Sequence, residues 1–217
     1  MRCTRSSRAT TGMIIALVPL ALAACGSSTS PPAAAAQTSL SPAASTPGAT
    51  STPSPLPALS APPTVVLDEF TRYGPGAKAV TYDPTRVPVD SDVAVVLVQT
   101  TGQTLTLLTV RGLPANQHFG AHVHANACGE NPEAAGPHYQ NKVDPKQPSV
   151  NPDYANPSNE IWLDFTTDAT GSAHVESTVP WTFSDRPHKS IVIHAQHTAT
   201  DPGHAGTAGA RLACVNL

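Results

Sequence analysis

Residues 92–114 read DVAVVLVQTTGQTLTLLTVRGLP. Asp92 to Gln99 and Thr104 to Arg111 are rich in β-branched side chains and alternate in character with period two. Thr101-Gly102 between them and Gly112-Leu113-Pro114 after them are turn signals. This predicts two strands joined by a short turn. Working outward, the same character recurs at Ile161–Thr167, Ala173–Val179 and Ser190–Ala195, with Asp168-Ala169-Thr170-Gly171 as a further turn. No window of a dozen residues carries a helical repeat. The fold class implied is all-β, a sandwich or barrel.

Two stretches resist a strand reading. Ala125 to Asn159 carries six prolines and many Asn and Gly residues, and Gln196 to Ala210 is rich in Gly, Ala and Thr. Loops of this length inside a compact domain are usually functional or disordered. One begins directly after His124 and the other directly after the Ser190–Ala195 run that holds His194, which favours function.

The N-terminal region has a different character. Residues 1–25, MRCTRSSRATTGMIIALVPLALAAC, combine basic Arg2, Arg5 and Arg8 with an apolar run from Met13 to Leu22 and small residues before Cys25. That is the pattern of a secretory signal, and Leu22-Ala23-Ala24-Cys25 resembles the lipobox at which bacterial lipoproteins are cleaved and lipidated. The apolar run falls short of the ~20 residues a membrane span needs. Residues 1–24 therefore read as signal peptide and Cys25 as the lipidation site of an extracytoplasmic, membrane-anchored protein. Residues 25–63 are, after the cysteine, dominated by Ser, Thr, Pro, Ala and Gly, with no charge and almost no large apolar side chain. They cannot bury enough surface to offset chain entropy and read as a flexible tether. Residues 64–217 have the size of one domain with a single core.

With Cys3 removed and Cys25 lipidated, Cys128 and Cys214 remain in an oxidising compartment, where they are expected to form a disulfide, free buried thiols being the alternative. Loss of Arg2, Arg5 and Arg8, with no acidic residue, takes the formal charge from −3 to −6. An acidic body without basic clusters argues against nucleic-acid or anionic-lipid partners.

Three histidines crowd residues 118–141, HFGAHVHANACGENPEAAGPHYQN, apart from His118: His122 and His124 lie two apart, hence on one face of an extended segment, and His138 follows Gly-Pro. His194 ends the run Ile191-Val192-Ile193, on the face opposite Ile191 and Ile193. Four imidazoles without a thiolate suit copper or zinc and suit calcium poorly. His118, His174 and His188 read as surface residues, while His197 and His204 lie in the loop beside His194, within possible reach of the pocket. Trp162 and Trp181 read as packing residues.

The segment GLPANQHFGAHVHANACGENPEAAGPHY (112–139) resembles the copper/zinc superoxide dismutase family, with its Gly-Leu-Pro turn, His-Val-His copper pair, loop cysteine and bridging histidine after Ala-Gly-Pro. SIVIHA (190–195) resembles the family's strand bearing the fourth copper histidine. AGTAGARLAC (205–214) resembles its closing segment, with an arginine three residues before a cysteine. The resemblance spans about Lys78 to Cys214. It implies a Greek-key β-sandwich or flattened barrel with two long active-site loops, and dismutation of superoxide to dioxygen and hydrogen peroxide. It makes His122, His124, His138 and His194 copper ligands, Arg211 the guide for the superoxide anion, His138 also a catalytic group, and Cys128–Cys214 the disulfide.

The departure from that pattern concerns zinc. Zinc-containing members supply two more histidines and an aspartate after the bridging histidine, whereas no histidine occurs here between Tyr139 and Ala173. His138 with scattered carboxylates is a poor zinc set, so the expectation is a copper-only site. A metal-bound histidine still needs an acceptor for its far nitrogen. Glu160 is the candidate for His138, ahead of Asp164 and Asp153. The alternative reading is a non-enzymatic protein on the same fold that binds or buffers copper.

Overall fold

The strand pair predicted from residues 92–111 forms the centre of one of two antiparallel sheets. The computed structural model describes residues 58–217. Cys25, the signal peptide and most of the tether lie outside the described residues. Nine strands follow in order: β1 Thr64–Glu69, β2 Ala79–Thr81, β3 Asp92–Thr100, β4 Gln103–Arg111, β5 His118–His124, β6 Phe165–Thr166, β7 Ala173–Val179, β8 Ser190–His194 and β9 Arg211–Asn216. A single 3₁₀ turn at Pro132–Ala135 is the one helical element among the described residues.

The first sheet runs β1-β3-β4-β7 and the second β2-β9-β8-β5-β6. Val93, Val95, Leu108 and Val110 from the first pack against Phe119, Ala121, Val123, Ile191, Ile193 and Val215 from the second, forming the core between the layers. Because side chains alternate, the even residues of β5 and β8 face the other way. That outer face is where the long loops lie. Val192 there joins Cys214 and Ala135 in a smaller apolar cluster beneath the first loop.

The expected strand Ile161–Thr167 is mostly irregular, with only Phe165 and Thr166 in a ladder. Ile161, Leu163, Phe165 and Thr167 are buried in alternation, so the pattern was right about the buried face. Before Phe165 the backbone meets β5 through separate contacts: a bridge from Trp162 to His122, a bond from Leu163 N–H to the Ala121 carbonyl and one from Val123 N–H to the Ile161 carbonyl. Three strands lacked a readable signal: β1, β2 and β9.

β4 shows a conflict between pattern and register. Consecutive Leu107 and Leu108 shift the apolar phase, and the bulge-free pairing with β3 keeps Leu108 and Val110 inside. Thr104 and Thr106 are therefore buried while Leu105 and Leu107 are only half-covered. The Thr104 hydroxyl donates to the Trp181 carbonyl at 2.7 Å, whereas the Thr106 hydroxyl is buried without a partner. An unmet buried hydroxyl costs about 1–3 kcal/mol. Thr106→Val, of near-identical shape, should raise stability by roughly 1 kcal/mol in denaturant unfolding; an unchanged or lower midpoint would contradict this account of the site.

Candidate metal centre

His122 and His124 project from the outer face of β5, and His194 ends the adjacent β8. His138 enters from the loop after β5, its backbone bridged to His124 and its neighbour Tyr139 N–H bonded to the Val123 carbonyl. One ring nitrogen from each of the four lies within 4.8 Å of the others, the one such cluster among the described residues. His122 and His124 are fully buried, His194 nearly so, and the His138 side chain is 17% exposed.

The nitrogens that point inward follow from the partners of the others. His124 Nδ1 lies 2.9 Å and His194 Nδ1 3.3 Å from the carbonyls of Gly136 and Gly209. Carbonyls only accept, so these Nδ1 atoms carry protons and Nε2 carries the lone pair in the neutral ring. His138 Nδ1 donates to Glu160 Oε2 at 2.8 Å, again leaving Nε2 free. His122 is reversed. Its Nε2 lies 2.6 Å from Thr198 Oγ1, which donates to Asp164 Oδ1 at 2.7 Å and so accepts from the ring. His122 Nδ1 is then an unprotonated, buried nitrogen without a partner. The free Nε2 atoms of His124 and His194 stand 3.4 Å apart.

Four lone pairs thus converge on one point. For His122, His124 and His194, neutrality is enforced by the surroundings. Burial first, then repulsion from neighbouring imidazoles, holds His122 and His124 well below the usual histidine range. Burial, followed by His138, takes His194 down to about 3. Neutral imidazole donors in a compact set fit copper or zinc, so the residues present suit the metal that the fold implies.

Glu160 is buried and accepts three bonds, from His138, from Gln140 Nε2 at 2.8 Å and from Trp162 Nε1 at 2.7 Å. Trp162 also stands edge-on to His122, with centroids 5.9 Å apart. It therefore belongs to the centre's surroundings rather than to packing alone. Asp164 serves His122 through Thr198, not His138, and Asp153 is exposed.

Arg211 reaches the centre through a bulge. Between Ile193 and His194 the pairing with β9 slips by one residue, so His194 lies opposite Arg211 instead of Leu212. Leu212 turns into the core and Arg211 turns outward, re-aimed as bulges do. Its guanidinium donates to the Pro132 carbonyl at 3.2 Å and lies 3.3 Å from Glu133 Oε2. With His138, Glu160, Gly206 and others it lines a recess of about 170 Å³.

The first loop is fastened close to the histidines. Cys128 and Cys214 form a disulfide, Cys128 N–H bonds Asn216 Oδ1 at 2.9 Å, and Tyr82 donates to the Gly129 carbonyl at 2.9 Å. The second loop packs directly on β5 because Gly120 has no side chain; a Cβ there would sit 2.5 Å from the Gln196 carbonyl oxygen. His197 and His204 stay outside the cluster, the one beside His118 and the other paired with Asp201. His174 bonds Thr109, as befits a surface residue. His188, expected in polar surroundings, instead stacks on Phe183 at 3.7 Å.

Thr198 is the contributor that sequence reasoning missed. Its only advance signal was its place in a loop beginning beside His194.

A β-sandwich with four imidazoles converging beneath two fastened loops defines a class of metal-binding β-sandwich proteins. The chain belongs to the copper/zinc superoxide dismutase family, whose profile, described as copper/zinc superoxide dismutase (SODC), matches residues 93–217. Among solved structures, the copper/zinc superoxide dismutase from Brucella abortus is similar in fold. It aligns at a TM-score of 0.50 and 20% identity, covering 71% of this chain and 99% of that one. A double mutant of a superoxide dismutase-like protein from Bacillus subtilis aligns at 0.45 and 18%, covering 58% and 88%. No curated protein gives a significant match.

Acid should expose the enforced neutrality in the metal-free protein. Unfolded histidines take up protons near pH 6.5, whereas His194 resists until about 3. Between those values the unfolded chain binds more protons, so stability falls as pH drops through that window. The melting temperature should decline from pH 7 to 4 and decline less steeply in His194→Gln; a flat profile would contradict the burial argument. Thr198→Val should weaken copper binding about tenfold by freeing the His122 ring, measured by competition with a chelator.

Proposed function

We propose that this protein is a copper-dependent, zinc-free superoxide dismutase. The reading rests on one observation above the rest: the far nitrogen of His138, which in zinc-containing relatives would face a second metal, is taken by the Glu160 carboxylate. Among the described residues no second cluster of metal-ligating side chains adjoins it.

His122, His124, His138 and His194 would hold the copper, which when bound would supply the one-electron chemistry by which two superoxide anions and two protons become dioxygen and hydrogen peroxide. The chain's own residues do the rest. Three of the imidazoles are sealed from water, while His138, the most exposed of the four, borders the recess that also holds Arg211. Glu160 fixes the His138 ring with its Nδ1 proton in place, so Nε2 is the atom available to hold or release a proton. Arg211 attracts and orients the anion, an interaction that added salt should weaken.

Glu133 bears on the rival reading of a copper carrier, because its carboxylate partly occupies the guidance arginine. It is largely exposed, and exposed ion pairs are worth little, so an incoming anion competes with it readily. The basic, apolar and Ala-Ala-Cys leader supports placing the enzyme outside the cytoplasm, tethered through lipid at Cys25.

In pulse radiolysis of the copper-loaded protein, Arg211→Glu should slow superoxide decay roughly tenfold or more with copper content unchanged, and Glu133→Gln should speed it. Fast decay that neither substitution alters would remove Arg211 from the mechanism. Tight copper with negligible decay in the unmutated protein would favour the carrier.

A further inference from the structure

The outer face of β5 carries one more histidine than the centre uses. His118 lies four residues before His122, and the loop leaving β8 brings His197 over it, with ring centroids 4.8 Å apart and planes at 72°. Both side chains are exposed. The juxtaposition comes from the same docking of loop on strand that serves the centre: His197 meets His118, Gln196 crosses Gly120, and Thr198 meets His122.

Each ring is held by one nitrogen and offers the other. His197 Nε2 lies 3.0 Å from the Phe165 carbonyl, an obligate acceptor, so Nε2 carries the proton and Nδ1 the lone pair. His118 Nδ1 lies 2.9 Å from Thr166 Oγ1, a hydroxyl able to accept from it, and in that tautomer Nε2 carries the lone pair that a cation would take. Metal-binding histidines are typically backed in this way, through a carbonyl or other acceptor on the far nitrogen. The same logic built the buried centre.

The two rings border an open recess of about 420 Å³, shared with Arg86, Gln117, Ala195 and Gln196. Arg86 is the charge to weigh against a cation. Its Nη2 donates to the carbonyls of His118 and Ala195 at 3.3 and 3.4 Å, and its guanidinium lies over the Phe119 ring at 5.0 Å. Its positive charge opposes hard cations bound by charge alone. It is tolerable for a borderline ion bound through neutral nitrogen, with water and small anions completing the coordination.

We propose that His118 and His197 form an auxiliary surface site for a borderline divalent cation, copper(II) or zinc(II), separate from the four-histidine centre. An ion there ties β5 to the loop one residue before Thr198. The site stands on its own geometry and does not depend on dismutase activity.

The test begins with purified protein carrying one equivalent of Cu²⁺, titrated with further Cu²⁺ and followed by electron paramagnetic resonance. A second, distinct signal should saturate at one further equivalent. It should vanish in the double variant His118→Gln/His197→Gln, weaken about tenfold in Thr166→Val, and persist in His204→Ala. A mutation-free measurement accompanies it: Zn²⁺ should shift the imidazole proton resonances of His118 and His197 in the unmodified protein. Absence of a second equivalent, its survival in the double variant, or unmoved resonances at saturating Zn²⁺ would overturn the proposal.

Discussion

Two unprotonated nitrogens, His124 Nε2 and His194 Nε2, face each other at 3.4 Å inside the protein, with a third, His122 Nδ1, buried and unpartnered. Lone pairs so placed repel unless a cation stands among them. Protonation is the usual escape for crowded histidines, but burial opposes it here, as the depressed pKa of His194 shows. The remaining ring nitrogens are committed to Gly136, Gly209, Thr198 and Glu160, so the rings cannot turn away without abandoning buried partners. The centre is held in the shape of its ligand, and much of the molecule serves to keep it there.

That service divides between sheet and loops. The second sheet sets two adjacent strands so that His122, His124 and His194 share one face, and the bulge at His194 turns Arg211 to the same side. The disulfide and the bonds to Asn216 and Tyr82 hold the loop that delivers His138. Asp164 binds the second loop at Thr198, through both the backbone N–H and the hydroxyl, and so couples loop order to the His122 tautomer. The Glu160 carboxylate orients the His138 ring and is itself steadied by Gln140 and Trp162.

Much of this was legible in the sequence, and the limits are instructive. The period-two segments of β3, β4 and β7 read correctly because one face is more covered than the other, and β8, buried on both faces, is legible from its β-branched run Ile191-Val192-Ile193. β2 is buried along its whole three-residue length and leaves no alternation to detect. β1, an edge strand, exposes Leu67 and Val65 and covers only Val66, so its apolar residues do not mark its buried face. The i, i+2 spacing of His122 and His124 announces a shared face. Nothing local announces that Thr198 would hold the first of them, because that bond depends on how a loop folds over a glycine. Nor does the sequence show that Leu212 would turn inward and leave Arg211 opposite His194. Such features arise from register, which single-chain patterns carry only weakly.

The central claim is that four imidazoles hold one copper ion and that Glu160 stands where a second metal would. It is tested most directly by reconstituting the protein with an equimolar mixture of copper and zinc, removing loosely held metal, and examining the product by metal analysis and X-ray absorption at the copper edge. The account predicts one copper with a shell of imidazole nitrogens and no zinc bridged to it through His138. Tightly retained zinc beside the copper, or a copper shell with fewer than three imidazoles, would contradict it.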